Sequence, residues 1–304
     1  MRWRAAGLLA AGLTMAACGT GEAAQQSHPG AAAATRSPGG TAGSQPAAGA
    51  SAAAASATPQ STSPPSGSSR AATSPAAAQQ AAVARPLAGK TVGIDPGHNG
   101  RNADDPAYIN QLVWNGRAEE TCDTTGTESD GGYTEARFNF NVARYLEADL
   151  RRDGARVVLT RYSNDGVGPC VNRRAQILNR AHSSVAIDIH ADGGPAWGRG
   201  FTVLEPVADG PNDKVIKSSV RFGSDVRSAL LKYTSMPRSD YYGHDGVIFR
   251  DDLAGLNLST VPKILIETGN MRNATDARLL QATWFQKRLA KAFTAAAVAF
   301  LAKR

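Results

Sequence analysis

The chain has 304 residues, with 33 Lys or Arg against 26 Asp or Glu, a formal net charge of +7 at pH 7. That excess favours an anionic surface, but no Lys/Arg cluster is interleaved with aromatics, which argues against nucleic acid. The composition also changes sharply along the chain, so only part of the length is available to build a folded core.

Residues 1–18, MRWRAAGLLAAGLTMAAC, have a basic start and then a run of small residues and leucines. This is the layout of a secretory signal, too short to span a membrane. Cys18 follows MAA directly, which resembles a lipobox whose cysteine becomes lipidated, although Met15 stands where leucine is usual. The expectation is an exported protein whose membrane contact is a lipid at Cys18. Residues 19–85 are almost entirely Ala, Gly, Ser, Thr, Pro and Gln. Such a segment cannot bury enough surface to offset its ordering entropy and reads as a disordered tether. As a flexible coil it would span about 45 Å. His28 lies inside it and is not expected to bind anything. Residues 86–304 remain, enough for one domain with a proper core.

KTVGID (90–95) is the first predicted strand. A long polar insertion follows, and then a helix over 134–154 in which Phe138, Val142, Leu146 and Leu150 recur every four residues. Thr134 is placed to cap that helix and Gly154 to stop it. RVVLT (156–160) is a strand, residues 171–182 a helix and VAIDIHA (185–191) a strand. An amphipathic helix over 219–234, strands at 246–250 and 262–270, and one long helix from about Asp276 complete the order. The last helix is apolar only in short runs broken by Lys291 and Lys303, so it is expected to pack rather than to cross a membrane. Strand–helix alternation predicts an α/β fold, a single domain with a mostly parallel central sheet flanked by helices on both faces.

In open α/β sheets sites gather beyond the carboxyl ends of the strands. His98 lies just past the first strand, His190 ends the third and Glu267 ends a later one. Glu135 opens the helix seven residues before Val142, on its apolar face, where a carboxylate must be paired or ligated. Two imidazoles, one carboxylate and a second carboxylate are the parts of a catalytic zinc site. The metal would acidify water and polarise a carbonyl, and the spare carboxylate would move the proton. The ligands are far apart in sequence and no H-E-x-x-H is present, so spacing alone also allows a plain set of capping and core-edge residues. If Cys18 is lipidated, Cys122 and Cys170 remain as a pair in an oxidising compartment, where a disulfide is expected.

With these residues in view, the chain resembles the zinc-dependent N-acetylmuramoyl-L-alanine amidases over residues 88–300. VGIDPGHNG resembles the family's opening motif, which implies His98 as the first zinc ligand. TEARFNFNVARYLEADLRRDGARVVLTR resembles the segment that starts with the zinc glutamate, here Glu135, and ends at Arg161. RAQILNRAHSSVAIDIHADGG resembles the segment ending in the second zinc histidine, His190. VPKILIETGNMRNATDARLL resembles the closing motif, whose glutamate is catalytic, here Glu267. Asp188 departs from this pattern, since serine is common there, and Met271 stands near where an aromatic is often found.

The resemblance implies a Zn2+ cofactor and peptidoglycan or a muropeptide as partner; a monomer is expected, and the signal with Cys18 places it at the membrane facing the periplasm or cell wall. A zinc peptidase cutting within the stem peptide is one alternative, and a non-catalytic wall-binding lipoprotein another. Glu119, Glu120 and Glu128 lie in the 99–134 insertion and leave open whether it regulates the site. His182 is expected to be a cap or surface group, His244 a surface-loop residue, and Arg174 an anchor to a carboxylate. Tyr241 and Tyr242 fit either core or cleft.

Overall fold

A computed structural model describes residues 85–302. The signal, Cys18 and the tether up to residue 84, with His28, lie outside the described residues. Strand β1 (Thr91–Pro96) is buried from Val92 onward, as an apolar run bounded by Lys90 and Gly97 requires. It is followed by a short helix α1 (Pro106–Ile109) and a two-stranded antiparallel hairpin, β2 (Leu112–Trp114) with β3 (Glu119–Thr121). This hairpin forms part of the insertion and was not predicted. Cys122, just after it, is disulfide-bonded to Cys170. The cross-link is flanked by backbone bonds from Cys122 N to Gln111 O and from Val171 N to Cys122 O, both 2.7 Å.

Helix α2 (Glu135–Arg152) forms where the four-residue repeat predicts it, and Phe138, Val142, Leu146 and Leu150 are all buried. Gly154, at φ +94°, turns the chain out of the helix in a conformation a side chain would strain. Thr134 occupies the N-cap position but makes no side-chain capping bond. Glu135 N is satisfied by Thr127 O instead. Strand β4 (Arg156–Leu159), helix α3 (Val171–Arg180) and strand β5 (Val185–Asp192) follow. His182 comes just after α3, exposed and at φ +48°, as expected of a group at a helix end.

The second half of the chain also differs from the sequence reading. Strand β6 (Thr202–Pro206) was not predicted, and it precedes helix α4 (Ile216–Tyr233) and strand β7 (Val247–Arg250). After the short helix α5 (Ala254–Asn257) and strand β8 (Lys263–Asn270), the expected single C-terminal helix is two, α6 (Ala274–Gln281) and α7 (Thr283–Ala302). Ala282 breaks the run in an extended conformation, while its carbonyl still accepts from Phe285 N and Gln286 N to start the second helix. No described helix is long and apolar enough to cross a membrane.

The main sheet has the order β4-β1-β5-β8-β6-β7. The first four strands run parallel, β6 is antiparallel to β8, and β7 is parallel to β6. One face carries Val92, Ile94, Val185, Ile187, Ile189, Ile264 and Ile266 against Phe138, Phe222, Phe293 and Phe300 from α2, α4 and α7. This is the main core. The other face is covered by α3 and α5 and has only two small apolar clusters, around Leu178 and Ala186 and around Leu204, Leu256 and Leu265. Between those clusters the second face is polar, and that places the site.

Candidate metal centre

Alternation along a strand puts residues i and i+2 on one face. Ile187, Ile189 and Ala191 fill the main core, so Asp188, His190 and Asp192 point the other way. His190 and Glu267 are partners in the parallel pairing of β5 and β8, so the two side chains leave the sheet side by side. The register shifts immediately afterwards, between His190 and Asp192. Both residues lie a few positions inside their strands rather than at the ends.

Gly97 lets His190 cross the end of β1, because a Cβ there would lie 2.2 Å from the imidazole ring. His98 follows at φ +56°, a backbone state costing about 1–3 kcal/mol that persists only when its surroundings enforce it. The enforcement is visible. Arg174 Nη2 donates to the His98 carbonyl at 2.8 Å, and His98 Nδ1 faces Asp123 Oδ1 and the Thr124 carbonyl, both at 3.1 Å.

Glu135, buried at the first turn of α2, joins the two rings. His98 Nε2 lies 3.2 Å from Oε2, and His190 Nδ1 lies 2.8 Å from Oε1. The carboxylate also accepts from Thr127 N at 3.0 Å and from Asn139 Nδ2 and Ala191 N at 3.3 Å. The two imidazoles meet edge to face with centroids 4.9 Å apart. Burial disfavours charge on all three groups, but mutual attraction outweighs it. His98 is pushed up to about 9, chiefly by Glu135, and His190 is raised by Asp188 and Glu135. Glu135 is held well below the usual carboxylate range by the two histidines.

Such a cluster either carries its own protons or replaces them with a cation. Its donors suit a metal: the ligand atoms of His98, Glu135 and His190 all lie within 4.8 Å of one another, the one such group among the described residues. Four-coordinate zinc, with bonds of about 2.0–2.2 Å, separates neighbouring ligand atoms by roughly 3.3–3.6 Å. The 3.2 Å contact of His98 with Oε2 is close to that spacing, and the 2.8 Å contact of His190 with the other oxygen, Oε1, is shorter than it. Glu119, Glu120 and Glu128 are not in the group. Glu120 Oε1 accepts from Ala254 N at 3.0 Å and lines a cavity of about 200 Å³ beside the two histidines.

Glu267 stands next to the cluster without joining it. Its Oε2 is enclosed and has no hydrogen-bond partner. Enclosure pushes its carboxyl up to about 8, against the opposing pull of His190 and with the repulsion of Glu135 added. Beyond it, the Tyr241 hydroxyl donates to Asp192 Oδ2 at 2.7 Å, and the Tyr241 ring lies beside Gly194, Gly198 and the exposed Trp197. Tyr241 therefore borders the cleft, whereas Tyr242 packs against the small cluster of Leu204, Leu256 and Leu265. His244 is exposed in a surface turn.

A family model described as N-acetylmuramoyl-L-alanine amidase matches residues 92–299. The chain belongs to this amidase family. An N-acetylmuramoyl-L-alanine amidase of Mycobacterium tuberculosis is 38% identical over 223 residues, covering 71% of this chain and 88% of that protein. The solved structure of an N-acetylmuramyl-L-alanine amidase from Mycobacterium smegmatis is similar at 35% identity and a TM-score of 0.68, covering 72% of this chain and 99% of that one. One from Mycobacterium abscessus is similar at 38% identity and 0.67, covering 71% and 100%. These amidases carry the same mostly parallel sheet flanked by helices, so the predicted fold class stands.

The sequence reading missed much of what surrounds the four residues it singled out. Asp123 backs His98, Thr268 Oγ1 donates to the His190 carbonyl at 2.8 Å, and Asn139 supports Glu135. Arg174 is anchored to carboxylates as expected, with Asp95 Oδ1 and Asp123 Oδ2 each 3.0 Å away. The signal available in the sequence was charge inside apolar strands: Asp95, Asp188 and Lys263 each interrupt one.

Proposed function

We propose that the protein is an exported zinc-dependent N-acetylmuramoyl-L-alanine amidase that hydrolyses the amide between N-acetylmuramic acid and L-alanine in peptidoglycan. His98, Glu135 and His190 hold the zinc, and Glu267 moves the proton. The observation that carries this reading is the pairing of a three-donor cluster with an adjacent, partnerless carboxylate held in register on the neighbouring strand.

When bound, zinc supplies a Lewis acid that polarises the scissile carbonyl and lowers the pKa of water. Glu267 accepts the proton of the attacking water and delivers it to the leaving nitrogen of L-alanine. A carboxyl raised towards neutrality is suited to act first as base and then as acid. Asp192 and Tyr241 border the same side of the cleft and present polar groups to the peptide. Export through residues 1–18, a lipid at Cys18 and the positive net charge would hold a monomeric catalytic domain, residues 86–304, against an anionic wall.

The test is the metal content of the purified protein. One zinc per chain in the wild type and strongly reduced zinc in His190→Ala are expected. Full occupancy in His190→Ala would remove that residue from the ligand set.

A further inference from the structure

One layer below the cluster, three charged side chains stand where apolar strands would ordinarily carry valine or isoleucine. Lys263 Nζ of β8 lies 2.9 Å from Asp95 Oδ2 of β1 and 3.0 Å from Asp188 Oδ2 of β5. The other oxygen of Asp95 meets Arg174 Nη1 of α3 at 3.0 Å, and Arg174 Nη2 meets Asp123 Oδ2 at 3.0 Å. The other oxygen of Asp123 faces His98 Nδ1 at 3.1 Å. The other oxygen of Asp188 lies 3.3 Å from His190 Nε2, an ion-pair distance, and makes no hydrogen bond. The ion pairs thus form an unbroken path from one histidine to the other, through Asp123, Arg174, Asp95, Lys263 and Asp188. All five are buried. Removing charges from water costs several kcal/mol per ion, and well-packed apolar residues would often be as stable or more so, so stability alone is a weak reason for this arrangement.

Hydrogen-bond logic supplies a better one. His98 Nδ1 faces a carboxylate and the Thr124 carbonyl, and a carbonyl can only accept, so Nδ1 carries the proton and Nε2 is left as a lone pair towards Glu135. His190 is arranged the other way round: Nε2 lies 3.3 Å from Asp188 Oδ1, a buried carboxylate oxygen that makes no hydrogen bond and is the acceptor within reach, and Nδ1 lies 2.8 Å from Glu135 Oε1. Arg174 and Lys263 have donors and no acceptor, so each ties up one oxygen of its carboxylate and leaves the other for the imidazole.

We infer that Asp123 and Asp188 are positioning residues which, locked by Arg174 and Lys263, fix the two histidines in opposite tautomers, so that His98 offers Nε2 and His190 offers Nδ1 to the metal. The inference rests on the zinc reading above and adds to it which nitrogen each ring uses and what selects it.

The decisive substitutions are nearly isosteric. In Asp188→Asn, Lys263 can bond only the amide oxygen, which turns the NH2 towards His190 Nε2. The ring then does best with its proton on Nδ1, where it blocks the metal. Asp123→Asn acts less selectively: Oδ1 accepts from Thr124 N at 2.8 Å as well as facing His98 Nδ1, so an NH2 meets a donor in either orientation, and the neutral amide weakens the acceptor that keeps the proton on Nδ1. Each change should weaken zinc binding by about 10- to 100-fold, the usual scale for such outer partners.

The experiment has two readouts. Zinc affinity of wild type, Asp123→Asn and Asp188→Asn is measured by competition with a chelator at fixed pH, with circular dichroism to verify folding. Ring nitrogens are assigned by 15N NMR of histidine-labelled, zinc-loaded wild type, which needs no variant to fold. The expected result is metal on His98 Nε2 and His190 Nδ1, and weakened binding in both folded variants. Metal on His190 Nε2, or wild-type affinity in both variants, would overturn the inference while leaving the zinc reading intact. A wild type that takes up no zinc would overturn both.

Discussion

Removing the Cys122–Cys170 cross-link should cost the folded protein about as much as any single change outside the core. The two cysteines are 48 residues apart in sequence. Chain-entropy loss on closing a loop of that length corresponds to about 4 kcal/mol at 25 °C. Cys122 is buried, so alanine at both positions is preferable to serine, which would bury an extra hydroxyl. For a domain of this size each kcal/mol corresponds to roughly 2–4 °C, so the double variant should melt about 8–16 °C below the oxidised wild type. Thermal melts followed by circular dichroism would measure this, with reduced wild type as a second route to the same state. A midpoint within 2 °C of wild type would refute the reasoning. It would mean that the backbone bonds from Cys122 N to Gln111 O and from Val171 N to Cys122 O hold the insertion unaided.

Glu267→Gln keeps the shape of the side chain and removes the base, so zinc content should be unchanged while turnover falls about 10²–10⁴-fold; near-normal turnover would assign the proton transfer to another group. Glu205, buried in β6, is pushed up to about 7 by burial against the opposing pull of Arg227. Its folded value is raised, so its contribution is fully present below the ordinary carboxylate range and is lost as pH rises through about 7. Glu205→Gln should therefore gain stability relative to wild type between pH 5 and pH 8, read as the difference in urea midpoints. An equal difference at both pH values would contradict the assignment.

The sequence announces the parallel core plainly, because β1, β5 and β8 are apolar runs with clear boundaries and α2 keeps its four-residue repeat for 18 residues. Strand β6 was harder to see, since TVLEP is five residues long and buried on both faces, leaving no alternation to read. The break at Ala282 has no glycine or proline to mark it. Glu135, His190 and Glu267 stood out because each is a polar residue where strand or helix periodicity calls for something else, and His98 because it directly follows the carboxyl end of a strand. What could not be read was their support. Asp95, Asp188 and Lys263 come from three strands, and only the observed register, with Asp95 opposite Asp188 and Lys263 two positions off on the same face, brings them into contact. Asp123 reaches His98 from an irregular loop, for which periodicity offers nothing.

The central claim concerns which bond is cut, and the products answer it most directly. Purified protein loaded with zinc would be incubated with a muramoyl-peptide prepared from cell wall, and the new ends identified by mass spectrometry. The account predicts free peptide with a new L-alanine amino terminus, together with an intact muramic acid bearing its lactyl carboxyl. Cleavage only between amino acids of the stem would contradict it and make the protein a peptidase.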